Sequence, residues 1–343
     1  MLKIRITQLD GKLPNLALMR LSHWHRARGD VVRFTRSPYR HLDEPGYDRV
    51  YASAIFEYSR PHVERLKAEF PAAIIGGTGS GSATTVESVV GDHAGYSYDD
   101  YPGFAASLGF TQRGCRLNCK FCVVPGKEGK PKSTATIAEI WRGAPHPKHL
   151  HLLDNDFFGQ PEEQWRARLE EVRAGRFKVC FNQGLNVRLM TPEAARELAS
   201  IDYRDDGFTT RRLYTAWDNL KDEGVFFRGV DILEDAGVPA THLLAYMLIG
   251  FDKRETWERL LYRFNRMVER GIRPYPMVFG DRTRALPLGG LNARLAGRSL
   301  MEFQRWAIRK AYTVVPFESY DVNARGHTLA VPDLFEPEER ISA

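Results

Sequence analysis

The sequence predicts an α/β protein made of two successive series of strands and covering helices. The first is a small doubly wound sheet over residues 1–95, and the second is a parallel barrel, or part of one, over 96–290. Three observations carry this expectation. Short apolar runs of strand length alternate with amphipathic stretches of helix length along most of the chain. The strand-like runs are nearly continuous in apolar residues, as parallel strands buried on both faces are. A Gly-, Ser- and Thr-rich stretch at 78–91 and an acidic, aromatic connector at 92–103 interrupt the alternation and mark a boundary.

In the first series, residues 2–8 (LKIRITQ) predict a strand and 14–28 an amphipathic helix whose apolar positions are Leu16, Leu18, Met19 and Leu21. Residues 30–34 (DVVRF) form the second strand, entered through Gly29. Residues 37–47, rich in Pro, Gly and Asp, are too short for a crossover helix and predict a loop. A third strand at 49–54, a helix at 61–70 and a fourth strand at 72–76 follow, and 78–91 reads as a mobile loop or functional lip.

In the second series, strands are expected at 105–111, 149–153, 178–182, 213–217, 242–249 and 275–279. Helices are expected at 136–141, 161–174, 192–200, 225–236, 253–270 and 300–312. Strands joined through helices favour a parallel barrel. From 314 onward apolar periodicity fades, so residues 291–343 read as a C-terminal helix and an extended strap or disordered tail.

At 343 residues, with 43% hydrophobic and 27% charged, the composition is that of a globular protein with room for two domains. No stretch approaches the ~18 consecutive apolar residues of a membrane span. The N-terminal MLKIRITQLDG lacks the apolar core of a secretory signal, so the cytoplasm is the expected compartment. A net charge of +6 suits an anionic partner such as nucleic acid or a phosphorylated metabolite, although charges spread over solvated helix faces give the same sum.

Four cysteines occur, three of them within eight residues. Such clustering favours a metal site over disulfides. Cys115, Cys119 and Cys122, spaced C-x3-C-x2-C, lie in a loop directly after the first predicted barrel strand. Three thiolates on one loop can hold three irons of a cubane and leave the fourth without a protein ligand. An electron-carrying [4Fe-4S] cluster takes four cysteines, and the remaining one, Cys180, lies on another predicted strand, where a buried core thiol is the simplest reading. A zinc site would need further Cys or His ligands, and His93 and His146 form no paired motif.

The stretch at 109–130 (GFTQRGCRLNCKFCVVPGKEGK) resembles the signature loop of the radical S-adenosylmethionine (SAM) superfamily, including Phe121 just before the third cysteine. The resemblance implies a (β/α)6 partial TIM barrel of radical SAM type over about 105–279. It further implies a [4Fe-4S] cluster on Cys115, Cys119 and Cys122, whose open iron chelates SAM. One electron then releases a 5′-deoxyadenosyl radical that abstracts hydrogen from a substrate the sequence does not identify. An electron donor such as flavodoxin or ferredoxin is implied as partner.

In such families a GGE motif after the second strand binds the SAM amino group. Here Asp154 and Asn155 stand at that place and are expected to offer acceptor oxygens, the alternative being a helix N-cap before Pro161. Gln183, Asn186 and Arg188, after the third strand, are expected near SAM or the substrate, or else form a turn. Trp217-Asp218-Asn219 puts further polar groups at the mouth. Gly250, in a segment resembling the adenine-side motif, would let backbone approach the cofactor, or would simply turn the chain. Lys127 and Lys130 are expected to meet an anionic substrate or redox partner, or to sit in a solvated turn.

The first unit resembles the cobalamin-binding-type, flavodoxin-like domain found before many such barrels, on residues 14–31 and on the glycine turn Gly76-Gly77-Thr78-Gly79. That turn is expected to be a lip for cobalamin or substrate. The D-x-H-x-x-G motif is missing and the crossover at 37–47 is short, so tight cobalamin binding is not favoured. His23 and His25, two apart on a helix, diverge and make poor joint metal ligands. The expected function is therefore a radical SAM enzyme of unidentified reaction. The alternatives are a cobalamin-dependent radical SAM methyltransferase and a non-catalytic iron–sulfur sensor.

Overall fold

The computed structural model describes residues 1–324, which divide into two units, Met1–Ala105 and 106–324. The first contains, in order, β1 (Lys3–Gln8), α1 (Leu16–Ala27), β2 (Val31–Thr35), β3 (Arg49–Ser53), α2 (Arg60–Glu69), β4 (Ile74–Gly76) and α3 (Glu87–Val90). Its four strands make one parallel sheet in the order β2-β1-β3-β4. Strand alternation assigns the two faces. Ile4, Ile6 and Tyr51 pack with Leu18 and Leu21 of α1 and Val90 of α3. Val50, Ala52 and Ile75 pack with Val63 and Leu66 of α2.

Between β2 and β3 the chain crosses without a helix, as expected, and the buried Arg5 of β1 holds this connection. Its guanidinium donates to Glu44 at 3.0 Å, to the Thr7 hydroxyl at 2.6 Å and to the carbonyls of Ser37 and Tyr39 at 3.1 and 2.8 Å. It also lies over the Phe70 ring at 4.6 Å.

Two expectations for this unit are corrected. The stretch at 78–91 is not a bare loop, because Val86, Val89 and Val90 gather on one side, form the α3 turn and pack against the α1 face. The unit extends past residue 95 to Ala105, because the connector is fastened to it. The Tyr101 hydroxyl donates to Gln8 at 2.7 Å and accepts from the Asn15 amide at 3.2 Å, and Arg26 pairs with Asp100 at 2.6 Å.

The second unit runs β5 (Ser107–Gly109), β6 (Gln112–Arg113), α4 (Val124–Glu128), β7 (Lys132–Ser133), α5 (Ile137–Ile140), β8 (His149–Leu152), α6 (Glu162–Gly175), β9 (Lys178–Phe181), α7 (Pro192–Ala199) and β10 (Asp202–Tyr203). It continues with β11 (Leu213–Ala216), α8 (Glu223–Asp235), β12 (Leu243–Ile249), α9 (Trp257–Glu269), β13 (Arg273–Val278) and α10 (Leu300–Ile308). β5, β8, β9 and β10 form one parallel sheet, β11, β12 and β13 another. The neighbouring edges meet where the Leu185 amide, just past β9, donates to the Tyr214 carbonyl of β11 at 2.7 Å.

One face of these strands is apolar and lies under the helices, with Leu150, Val179, Leu213 and Leu243 packed among Leu169, Leu198, Phe226 and Phe264. The other face carries His151, Cys180, Tyr214, Tyr246 and Tyr275. His151 is in register with Cys180 and Tyr246 with Tyr275, and Tyr214 stacks on Tyr246 with ring centres 6.0 Å apart. The expectation of near-continuously apolar strands is thus corrected. Helices cover one face only, and the other meets its own aromatic and polar neighbours.

The last helix stops at Ile308 rather than 312, because Lys310 takes a left-handed backbone (φ 54°). Beyond it Phe317 and Tyr320 are buried. The remainder of the expected strap, 325–343, lies outside the described residues. Among the described residues no helix is long and apolar enough to cross a membrane.

Candidate functional site

The cysteines sit on a loop closed at its base. β6 and β7 pair antiparallel, Gln112 with Ser133 and Arg113 with Lys132, so residues 114–131 project as one excursion. Gly114 makes the closure feasible. Its φ is +83°, and a Cβ there would stand 2.3 Å from the Lys130 carbonyl oxygen, so a side chain has no room. A second tie runs from the Cys115 amide to the Gly129 carbonyl at 3.2 Å. Inside the loop the Leu117 amide points at Cys115 Sγ from 3.4 Å, and the Cys122 amide donates to the Cys119 carbonyl at 2.9 Å.

Three consecutive residues after β8 fasten this loop at its root, middle and far end. Asp154 is buried and accepts from the backbone amides of Thr111 and Gln112 at 2.7 and 3.0 Å and from the Thr111 hydroxyl. Asp156, also buried, takes the Arg116 guanidinium at 2.8 and 3.0 Å, between the first two cysteines. The Asn155 side-chain amide donates to Glu128 at 2.7 Å, and Glu128 also accepts from Arg113 and from the Gly114 amide. Asp154 thus differs from expectation. The oxygens expected to meet an ammonium group are committed to the loop, and Asn155 keeps only its carbonyl oxygen for another partner. Burial pushes the Asp154 carboxyl up to about 7, against the hydrogen bonds from Thr111 and Gln112.

Cys115 and Cys119 are half-buried and Cys122 is exposed, all as free thiols, while Cys180 is buried on the aromatic face of β9. Burial raises the Cys115 thiol, the Leu117 amide opposes this, and the charges of Asp156, Cys119 and Cys122 raise it further. Among the described residues, no three His, Cys, Asp or Glu side chains gather around a single metal-ion position. A tetrahedral single-ion site holds its thiolates about 3.8 Å apart. A cubane gives each thiolate its own iron and suits a wider set.

Around the loop, Phe121 meets Phe251 edge to face at 5.5 Å, so the cysteine loop touches the segment following β12, and Phe251 in turn meets Phe279, after β13, at 5.0 Å. Gly250 adopts φ +84°, and a Cβ there would meet Leu300 at 2.8 Å. Its amide donates to Glu255 and its carbonyl accepts from Arg284, so its freedom serves packing within the chain. Gln183 is exposed. Arg188 donates to Asn186 of its own turn at 3.2 Å and to Asp222, before α8, at 3.1 Å, so it links two turns of the chain.

Asp218, named in the sequence only as part of a polar strand end, gains importance from the geometry. It accepts from the Leu248 amide at 2.9 Å, and the buried Arg263 holds the Trp217 and Asp218 carbonyls. Burial raises the Asp218 carboxyl, against the pull of the Leu248 amide, Arg263 and Arg188, and its charge reaches the Cys122 thiol.

In the first unit the glycine turn faces its own chain. A Cβ on Gly77 would stand 2.3 Å from the Ala54 oxygen, one on Gly79 2.1 Å from the Phe56 oxygen and one on Gly76 2.9 Å from the Thr84 oxygen. The glycines permit close backbone packing, and Thr78 beside them is exposed, so the turn is not an open cradle for a bulky ligand. His23 and His25 diverge as expected. The His23 ring shares a hydrogen bond with His93 at 2.8 Å, and His25 pairs with Asp30 at 2.8 Å.

Set against known proteins, the chain matches no family model, and no curated protein is significantly similar to it.

Proposed function

We propose that the chain is a radical SAM enzyme whose second unit is a (β/α)6 partial TIM barrel with Cys115, Cys119 and Cys122 as the ligands of a [4Fe-4S] cluster. The supporting observation is the closed loop itself: three free thiols on one excursion, clamped by Asp154, Asn155 and Asp156, with the fourth cysteine elsewhere. The barrel reading is supported by the parallel strands following chain order and by the Leu185–Tyr214 link between the sheets. Phe121, touching the segment after β12, gives further support. The order β2-β1-β3-β4 suits a truncated flavodoxin-like sheet for the first unit, and no cobalamin role is proposed for it.

When bound, the cluster and SAM supply a 5′-deoxyadenosyl radical for hydrogen abstraction. The chain's own residues then have distinct tasks. The Asn155 carbonyl oxygen, Gln183 and Asp218 are the groups offered to the polar end of SAM. Arg263 keeps Asp218 in place through the backbone. Phe121 and Phe251 brace the loop against the segment after β12. The exposed Lys120, Lys130 and Lys132 suit an acidic electron donor such as flavodoxin or ferredoxin.

Anaerobic reconstitution is expected to give about four irons per chain. Cys115→Ala, Cys119→Ala and Cys122→Ala should each abolish the visible absorbance of the cluster, and Cys180→Ala should retain it. Loss of the cluster in Cys180→Ala would replace the open-iron reading with a four-cysteine electron carrier.

A further inference from the structure

The strands of the second unit's two larger sheets are parallel, and the cysteine loop follows β5, so that loop and the N-terminal strand ends lie at opposite ends of these sheets. At those N-terminal ends stand Arg212, directly before β11, and Arg273, which opens β13. Alternation puts Arg212 on the face of Tyr214 and Arg273 on the face of Tyr275, the side turned away from the helices. Lys310 arrives from the left-handed residue that ends α10.

All three side chains are half-buried, and none pairs with a carboxylate among the described residues. Arg212 donates to the Thr241 carbonyl at 3.0 Å and Arg273 to the Ile308 carbonyl at 3.2 Å, while the buried Nε of Arg273 has no partner. Burial lowers Lys310, and the charges of Arg273 and Arg212 lower it further. Burial and Arg273 likewise lower Arg212, with Tyr214, Asp205 and Tyr312 acting against them. Among the described residues Asp205 is the carboxylate that acts on Arg212, and it already accepts from the Thr209 and Thr210 amides at 2.9 and 3.2 Å.

Like charges held together away from water are unfavourable unless a counter-charge joins them. Guanidinium groups with N–H groups to spare, beside an ammonium, match the oxygens of a tetrahedral oxyanion. Three cations against one carboxylate also leave an excess that a dianion neutralises. We propose that Arg212, Arg273 and Lys310 form an anion-binding site for phosphate, either the free ion or the phosphoryl group of a larger ligand.

Calorimetric titration of the full chain with inorganic phosphate, against sodium chloride at equal ionic strength, tests this without reference to the cluster. The expected result is phosphate-specific binding with Kd below about 1 mM. It should weaken at least tenfold in Lys310→Met and in Arg273→Met, while Lys67→Met, at an exposed position of the first unit, binds as the wild type does. Among the described residues Lys310 makes no side-chain hydrogen bond, so its variant decides the matter if Arg273→Met fails to fold. Glycerol 3-phosphate serves as a second probe. Binding it as well as phosphate indicates a site open to phosphoryl-bearing ligands, and binding phosphate alone indicates a closed ion site; either supports the proposal. Heat no greater than with chloride, or an unchanged Kd in Lys310→Met, would overturn it.

Discussion

Replacing Asp154 by Asn is expected to keep the cysteine loop in place and to remove a pH dependence that the wild-type protein carries. Burial lifts this carboxyl from 3.8 to about 7 in the folded protein. Between those values the folded state binds more protons than the unfolded state, so stability falls as pH rises from about 4 to about 7 and is level above. About three pKa units correspond to a loss of up to about 4 kcal/mol. Oδ1 accepts both the Thr111 and Gln112 amides, and Asn preserves that acceptor. Its Nδ2 can donate to the Thr111 hydroxyl oxygen once that hydroxyl, which donates to Asp154 in the wild type, turns to accept. Denaturant unfolding of the two proteins should therefore coincide near pH 4 and diverge toward pH 8, with Asp154→Asn the more stable. Parallel curves across that range would show that the carboxyl ionises normally and that burial does not govern it.

Arg5→Met should destabilise the first unit by about 3–5 kcal/mol, because it leaves the buried Glu44 with only the more distant Arg33, 4.0 Å away. It also removes the donors that hold Ser37 and Tyr39, and with them the connection that replaces a crossover helix. The double variant Arg5→Met/Glu44→Leu should recover part of the loss, since a buried pair exchanged for apolar side chains is far less harmful than a broken one. Thermal and denaturant unfolding of both variants measure this. A single variant within about 0.5 kcal/mol of the wild type would show that the connection is held by other contacts.

The sequence conveyed more of the framework than of the site. Strand-length apolar runs such as RVYAS and LLAYMLI are legible because β-branched and aromatic residues between turn signals have few other uses. The β6–β7 pairing was not legible, since two-residue strands show no period, yet it closes the cysteine loop. Aromatic residues count as apolar in a pattern search, so Tyr214, Tyr246 and Tyr275 hid the second, polar face of the strands. The cysteine spacing stood out at once. The clamp on that loop did not, because Asp154 and Asp156 reach partners some 40 positions away, and local sequence carries no trace of such pairing. The same limit explains Asp218, whose significance comes from Cys122, and the Arg212, Arg273 and Lys310 cluster, drawn from three separate elements.

The proposed function rests on an iron left open for SAM, and the yield of 5′-deoxyadenosine tests that most directly. Protein reconstituted anaerobically and treated with a strong reductant should convert SAM into 5′-deoxyadenosine and methionine in equal amounts, slowly even without substrate, and Cys122→Ala should give neither. A complete [4Fe-4S] cluster that is reduced but leaves SAM intact would contradict the account and make the protein an electron carrier or sensor.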